Sequence, residues 1–367
     1  MISLNWCKDY VDIEKEDLHE LAVKITKAGV NVEKVIDTRI ENLVIGEVKE
    51  CIDHPDSDHL HLCQVDIGKE TVQIVCGAPN VRKGLKVLVA LPGCTLPGGT
   101  IEAGKIRGQE SNGMICALFE LGLEEKTEET YAKGITELDT NLPNGTDANI
   151  YLGTDDTIYE LDVHKHRNND CYYHIGFAYE IASILSKKVT LPEASYKEDK
   201  DSIEKYVSLK VDTDKCPYYS AKMVKNVTIK ESPDFIKKRL ISAGMRPINN
   251  VVDISNYVML EYGNPLHFFD AKKLGNKILV RQATKEEPIT TLDNQDRVLQ
   301  ENDIVITDGK KPVCIAGVMG GLNTDVDETT KDIVIEAAIF DAVAIRYTAS
   351  RLDLKSEASI RYGKGLN

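Results

Sequence analysis

A chain of 367 residues, 42% hydrophobic and 28% charged, can bury a sizeable core and is longer than one domain usually runs, so two or three domains are expected. Its formal charge of −14 argues against a surface built mainly to grip phosphates, and acidic residues outnumber basic ones between positions 39 and 150 as well. Nucleic-acid contact must therefore come from local arrangement. No stretch reaches the roughly eighteen apolar residues of a membrane helix, and the start lacks a basic segment followed by an apolar run, which points to a cytoplasmic protein without membrane contact. The nine cysteines are odd in number, scattered and never spaced C-x-x-C, and so read as reduced core residues.

In chain order, residues 16–28 place Leu18, Leu21, Ala22 and Ile25 at helical spacing behind an acidic first turn, with Gly29 as the stop. From 42 to 68 the pattern becomes strand, loop, strand: LVIGEV and LCQVDIG flank the polar DHPDSDH. VQIVCGAPNV, LKVLVALPG, CTLPGGTIEAGKIRG and SNGMICALFELG continue the series, each bounded by Gly or Pro. Short strands at this interval suit a five-stranded barrel of the oligonucleotide-binding (OB) type, with loops at one end free for nucleic acid. An apolar helix follows over 175–184, and then LPEASYKEDKDSIEKY, the best linker candidate.

Beyond Val207, VSLKVD and YYSAKMVKNVTI read as strands, 233–243 and 252–260 as helices, and ILVRQAT, DIVITDG, KPVCIAGVMGG and DIVIEAAIF as later strands. The fold class is α+β and multidomain: an OB-fold barrel inserted in a small α+β domain, followed by a mixed α/β domain.

Specific strings narrow this further. IGEVKECIDHPDSDHLHLCQVDIG, IVCGAPNVRKGLKVLVALPG and GKIRGQESNGMICALFELGL together resemble the tRNA-binding barrel shared by several synthetases. MRPINNVVDISNYVMLEYGNPLHFFDAKKL, CIAGVMGG and VIEAAIFDAVAIRYTASRLDLKSEASIRYGKG are similar to the proofreading domain of bacterial phenylalanyl-tRNA synthetase beta subunits. The resemblance covers essentially the whole chain. It implies a discontinuous frame domain at 1–38 and 152–195, an OB-fold tRNA-binding domain at 39–151 and an editing domain at 205–367. It also implies an α2β2 enzyme whose alpha subunit charges tRNA(Phe), while this region binds tRNA and hydrolyses mischarged Tyr-tRNA(Phe). ATP and Mg are then expected only in the complete enzyme, with no cofactor and no metal in this part.

Phenylalanine and tyrosine differ by one hydroxyl, so editing needs a hydrogen-bond partner for it. Glu336 stands in VIEAAIF, an apolar context that reads as buried strand. A tyrosine hydroxyl there relieves the cost of burying the acid, and phenylalanine leaves it stranded. The competing reading is a salt bridge from Glu336 to Arg361 or another cation.

His267, in GNPLHFFD, is the last of the histidines and the one imidazole available to the later domain, suited to holding water or the ribose, although a core role is the simpler reading. Gly320 and Gly321 permit close backbone approach and could offer amides to an oxyanion, or form an ordinary turn. The resemblance puts Ser356 among the catalytic group with His267 and Glu336, and makes Ser255, Asn256, Gly320, Gly321 and Ala358 substrate-binding. No nucleophile has an adjacent base, so hydrolysis by water is expected.

Cys51, His54, His59, His61 and Cys63 lie close in sequence but lack the spacing of a zinc knuckle. GCTLPGG and GVMGG lack the Lys-Ser/Thr of a P-loop, which excludes an ATP site of that type. The alternative to an editing enzyme is a noncatalytic tRNA-binding scaffold or a truncated, divergent relative.

Overall fold

The computed structural model describes residues 1–365. Its chain divides into two compact units, one of residues 37–157 and the other of residues 1–36 together with those from 158 onward.

In the 37–157 unit an antiparallel five-stranded sheet runs in the order Met114–Cys116, Lys86–Ala90, Leu43–Asp53, His61–Asp66, Thr71–Cys76. Alternation along Lys86–Ala90 sends Val87 and Val89 into one core and Leu88 and Ala90 into another, so both faces are covered. Gly46 lets the sheet curve, because a Cβ there would stand 2.7 Å from Val89 and 2.8 Å from Val65. The two edges of this half-barrel approach each other: Asn112 N–H donates to the Gln73 carbonyl at 2.8 Å and Val75 N–H to Ser111 Oγ at 3.1 Å. CTLPGGTIEAGKIRG, expected as part of the strand series, forms two small hairpins instead, Thr95–Leu96 with Gly99–Thr100 and Gly104–Ile106 with Gln109–Ser111.

The other unit begins with a three-stranded sheet, Ile2–Ser3, Thr157–Asp162 and Asn31–Asp37, in that spatial order. Helix Leu18–Ala28 starts two residues later than its periodicity suggests because the Asp17 side chain caps it, accepting from the N–H groups of His19 and Glu20 at 2.9 and 3.0 Å. Gly29, at φ 111°, ends it. Leu21, Ala22 and Ile25 pack with Trp6, Phe177 and Ile181. Helices Asp234–Ser242 and Asn250–Tyr262 join the same core through Ile236, Leu240 and Leu260.

Residues 191–200 are exposed and without regular structure apart from a bend at 200. Beyond them lies a five-stranded mixed sheet, in the order Ser208–Val211, Lys277–Gln282, Ile304–Thr307, Pro312–Ile315, Met319–Gly320, whose first two strands pair in parallel. A three-stranded antiparallel sheet, Tyr218–Val224, Ile333–Ile339, Leu266–Asp270, supplies Val334, Ala338 and Phe269 to the core shared with it. The first of these strands stops before the NVTI of its apolar run because Asn226 turns to φ 59°. All nine cysteines are free thiols, buried except for the half-buried Cys51.

Candidate active site

Strand Ile333–Ile339 lies in the middle of its sheet, and its register decides the site. Glu336 pairs with Ala221 on one side and with His267 on the other. Directly opposed residues of neighbouring strands share a face, so the acid and the imidazole stand side by side. On the same face as Val334 and Ala338, Glu336 is only 3% exposed. Tyr219, diagonal to it, donates its hydroxyl to Glu336 Oε2 at 3.0 Å. This is the sole hydrogen bond to that side chain among the described residues, and no cation pairs with it. Arg361, the partner considered from sequence, pairs with Glu357.

Burial pushes the Glu336 carboxyl up to about 8, against a weaker downward pull from the Tyr219 hydroxyl. The cost of an unpaired buried carboxylate is thus avoided largely by holding the proton. Burial also lowers the His267 imidazole to about 4, so it is neutral at pH 7. Its ring stands edge-on to Phe269 at 4.4 Å between centroids. It also rests against the backbone of Gly320, where a Cβ would come within 2.4 Å of the ring.

A cleft of about 290 Å³ opens beside these groups, near the lower end of ligand-pocket sizes. Its walls include Ser255, Asn256, His267, Gly320, Glu336, Ser356 and Ala358, but not Gly321. The Gly321 N–H donates to the Val313 carbonyl at 2.8 Å and is already occupied. Ser356 is occupied as well: it caps helix Glu357–Gly363, accepts from Ser359 N–H at 3.0 Å and donates to the Val318 carbonyl at 2.7 Å. Ser255 Oγ donates to the Leu266 carbonyl at 2.9 Å. The Asn256 amide has no partner among the described residues and borders the cleft. Cys314 also lines it, but burial and the nearby Glu336 hold its thiol well above the usual range, so it is no thiolate nucleophile at neutral pH.

Sequence reasoning missed Tyr219, Leu292, Met319 and Tyr362, of which all but Tyr219 line the cleft. Nothing local to YYSAKMV marks Tyr219; only the pairing register brings it to Glu336.

The 37–157 unit has a larger cleft of about 740 Å³, bordered by His59, Lys105, Phe119 and Tyr131. The Lys126 ammonium lies 5.8 and 5.4 Å from the rings of Phe119 and Tyr131. In neither unit do three or more His, Cys, Asp or Glu side chains converge as metal ligands among the described residues.

Residues 43–147 match the family model of a putative tRNA binding domain, and residues 215–367 that of the B3/4 domain. A phenylalanine–tRNA ligase beta subunit from Staphylococcus saprophyticus is 50% identical over all of this chain and 46% of its own length. The beta subunit from Geobacillus kaustophilus is 48% identical, with the same coverage. The chain belongs to the phenylalanine–tRNA ligase beta-subunit family. It spans about half the length of the curated beta subunits it matches and carries the two domains of their N-terminal part. Among solved structures, an N-terminal fragment of the phenylalanyl-tRNA synthetase beta subunit from Pyrococcus horikoshii aligns with 56% of this chain and 62% of its own, at 16% identity and a TM-score of 0.30. No helix among the described residues is long and apolar enough to cross a membrane.

Proposed function

We propose that this chain removes tyrosine wrongly esterified to tRNA(Phe), by hydrolysis in the cleft beside Glu336. The observation carrying this reading is a buried acid with one protein partner, a raised pKa and a cleft at its side. With Tyr219 donating to Oε2, the acid proton belongs on Oε1 and is available to a phenol oxygen. Tyrosine completes the pairing, whereas phenylalanine buries the acid unsatisfied at a cost of about 1–3 kcal/mol.

His267, neutral and directly opposite Glu336, orients the attacking water or the ribose. An imidazole with so low a pKa is a weak base, so its contribution is placement more than proton removal. Gly320 lets the ring sit against the backbone, Asn256 offers an uncommitted amide, and Ala358 leaves room for the substrate ring. With Ser356 and Ser255 engaged elsewhere and Cys314 protonated, water is the nucleophile.

The 37–157 unit, read as an OB-fold, binds the tRNA through the aromatic and basic groups about its cleft, where Phe119, Tyr131 and Lys126 suit an unpaired base. An alpha subunit, assembled as α2β2 in the cytoplasm, supplies aminoacylation with ATP and Mg. Deacylation of Tyr-tRNA(Phe) and Phe-tRNA(Phe) by this chain tests the editing reading. Rapid loss of tyrosine but not of phenylalanine is expected, and failure to release either sinks it.

A further inference from the structure

Helix Glu357–Gly363 separates two cavities. Ala358 and Tyr362 line the cleft described above, while Arg361 lines a second one of about 320 Å³. Glu357 and Met245 border both, so the two share a wall.

Arg361 is 3% exposed, with one edge of its guanidinium committed. Nη1 donates to the Glu357 carboxylate and carbonyl. Nε is buried without an acceptor, and the hydrogen bonds of the guanidinium among the described residues all leave from Nη1. A guanidinium cannot shed its charge to escape this, unlike the acid at 336. Unfilled donors of a buried cation are costly, and their planar fork matches a carboxylate or phosphate.

The other titratable neighbours do not meet that need. Glu357 is spent on Nη1. His174 is kept neutral by burial, with its pKa near 3; its Nδ1 faces the Leu260 carbonyl at 2.8 Å and its Nε2 accepts from Ser3 N–H at 3.1 Å. Tyr172 offers its ring face to Arg361 at 5.1 Å and to Lys364 at 3.9 Å, which adds a second cation.

We propose that this second cavity is an oxyanion subsite, in which the uncommitted edge of Arg361 holds a phosphate of the RNA strand or the carboxylate freed by hydrolysis. The oxyanion chemistry rests on Arg361; the choice of RNA or amino acid as its source rests on reading the adjoining cleft as an aminoacyl-ester site.

The full chain is titrated with inorganic phosphate against chloride at equal ionic strength, because salts also act on stability generally. Thermal unfolding is followed in wild type, Arg361→Gln and Ala243→Leu. Ala243 lines the second cavity alone, so the larger side chain fills it without removing a charge. Phosphate is expected to raise the melting temperature of wild type beyond the chloride control and to leave both variants at that control. If Arg361→Gln does not fold, Ala243→Leu decides. An equal rise in wild type and Ala243→Leu, or none in wild type, overturns the subsite.

Deacylation kinetics then separate the sources. A roughly tenfold higher KM for Tyr-tRNA(Phe) in Ala243→Leu, with tyrosine ethyl ester hydrolysis unchanged, identifies the RNA phosphate. An unchanged KM with lost inhibition by free tyrosine identifies the carboxylate. If wild type hydrolyses no tyrosyl ester, the reading of the cleft fails, while the phosphate titration still decides the subsite.

Discussion

Glu336 sits in an environment that, among the described residues, offers it one hydroxyl and no cation. Its pKa of about 8 in the folded chain lies above the 4.5 of an ordinary glutamate. Folding therefore retains a proton there that the unfolded chain gives up. The stability this contributes is complete below pH 4.5 and is lost as pH rises through about 8, by on the order of a few kcal/mol. Glu336→Gln, isosteric with the neutral acid, is expected to flatten that part of the stability profile in melts from pH 4 to 9; parallel profiles would contradict the assignment. Glu336→Ala is expected to narrow the tyrosine-over-phenylalanine preference about tenfold or more in deacylation assays. His267 has the opposite sign. Its folded pKa near 4 lies below the usual 6.5, so its neutral form contributes stability above pH 6.5 that is lost as pH falls through 4. An activity that needs the neutral ring should keep its acid limb near pH 4. His267→Ala should slow tyrosine release by about a hundredfold with little change in KM, and unchanged turnover would remove His267 from the mechanism.

At the scale of elements, the site depends on how strands and helices are stopped and matched. Helix Asn250–Tyr262, which carries Ser255, Asn256 and Met259 to the cleft, begins two residues before its apolar pattern because the Asn249 side chain accepts from Val251 and Val252 N–H, each at 3.0 Å. Asn249→Ala should cost about 1 kcal/mol in denaturant unfolding, and no loss would show the cap to be idle. Gly320, in the short strand Met319–Gly320, allows the His267 ring to rest on the backbone. Gly320→Ala should impair deacylation about as severely as His267→Ala while the chain remains folded by circular dichroism. Normal activity would mean that the ring has room to move.

For the molecule as a whole, the formal charge of −14 limits how much of any RNA affinity is counterion release. Binding of tRNA should weaken with salt, but with a log–log slope equivalent to only a few phosphate contacts; a steep slope would contradict this and require a concentrated basic surface. The same chain forms two compact units, and helices Asp234–Ser242 and Asn250–Tyr262 share a core with Trp6 near the N-terminus and with Phe177 in helix His174–Leu185. Stability of the cleft is thereby tied to segments far away in sequence.

Periodicity and punctuation settled much of the local structure: the helix ending at Gly29, the apolar helix near Phe177, and the buried strand around Glu336 were all legible in residue order. The strings VIEAAIF and GNPLHFFD also marked Glu336 and His267 as groups out of keeping with their neighbours. Pairing register was not legible, because it depends on contacts between strands separated by tens of residues. Register alone sets Glu336 opposite His267 and brings Tyr219 within hydrogen-bond reach, while Arg361 pairs with Glu357 one turn earlier on its own helix. Likewise, only the folded backbone shows that Gly321 has already given its N–H to Val313, whereas Gly320 makes room for an imidazole.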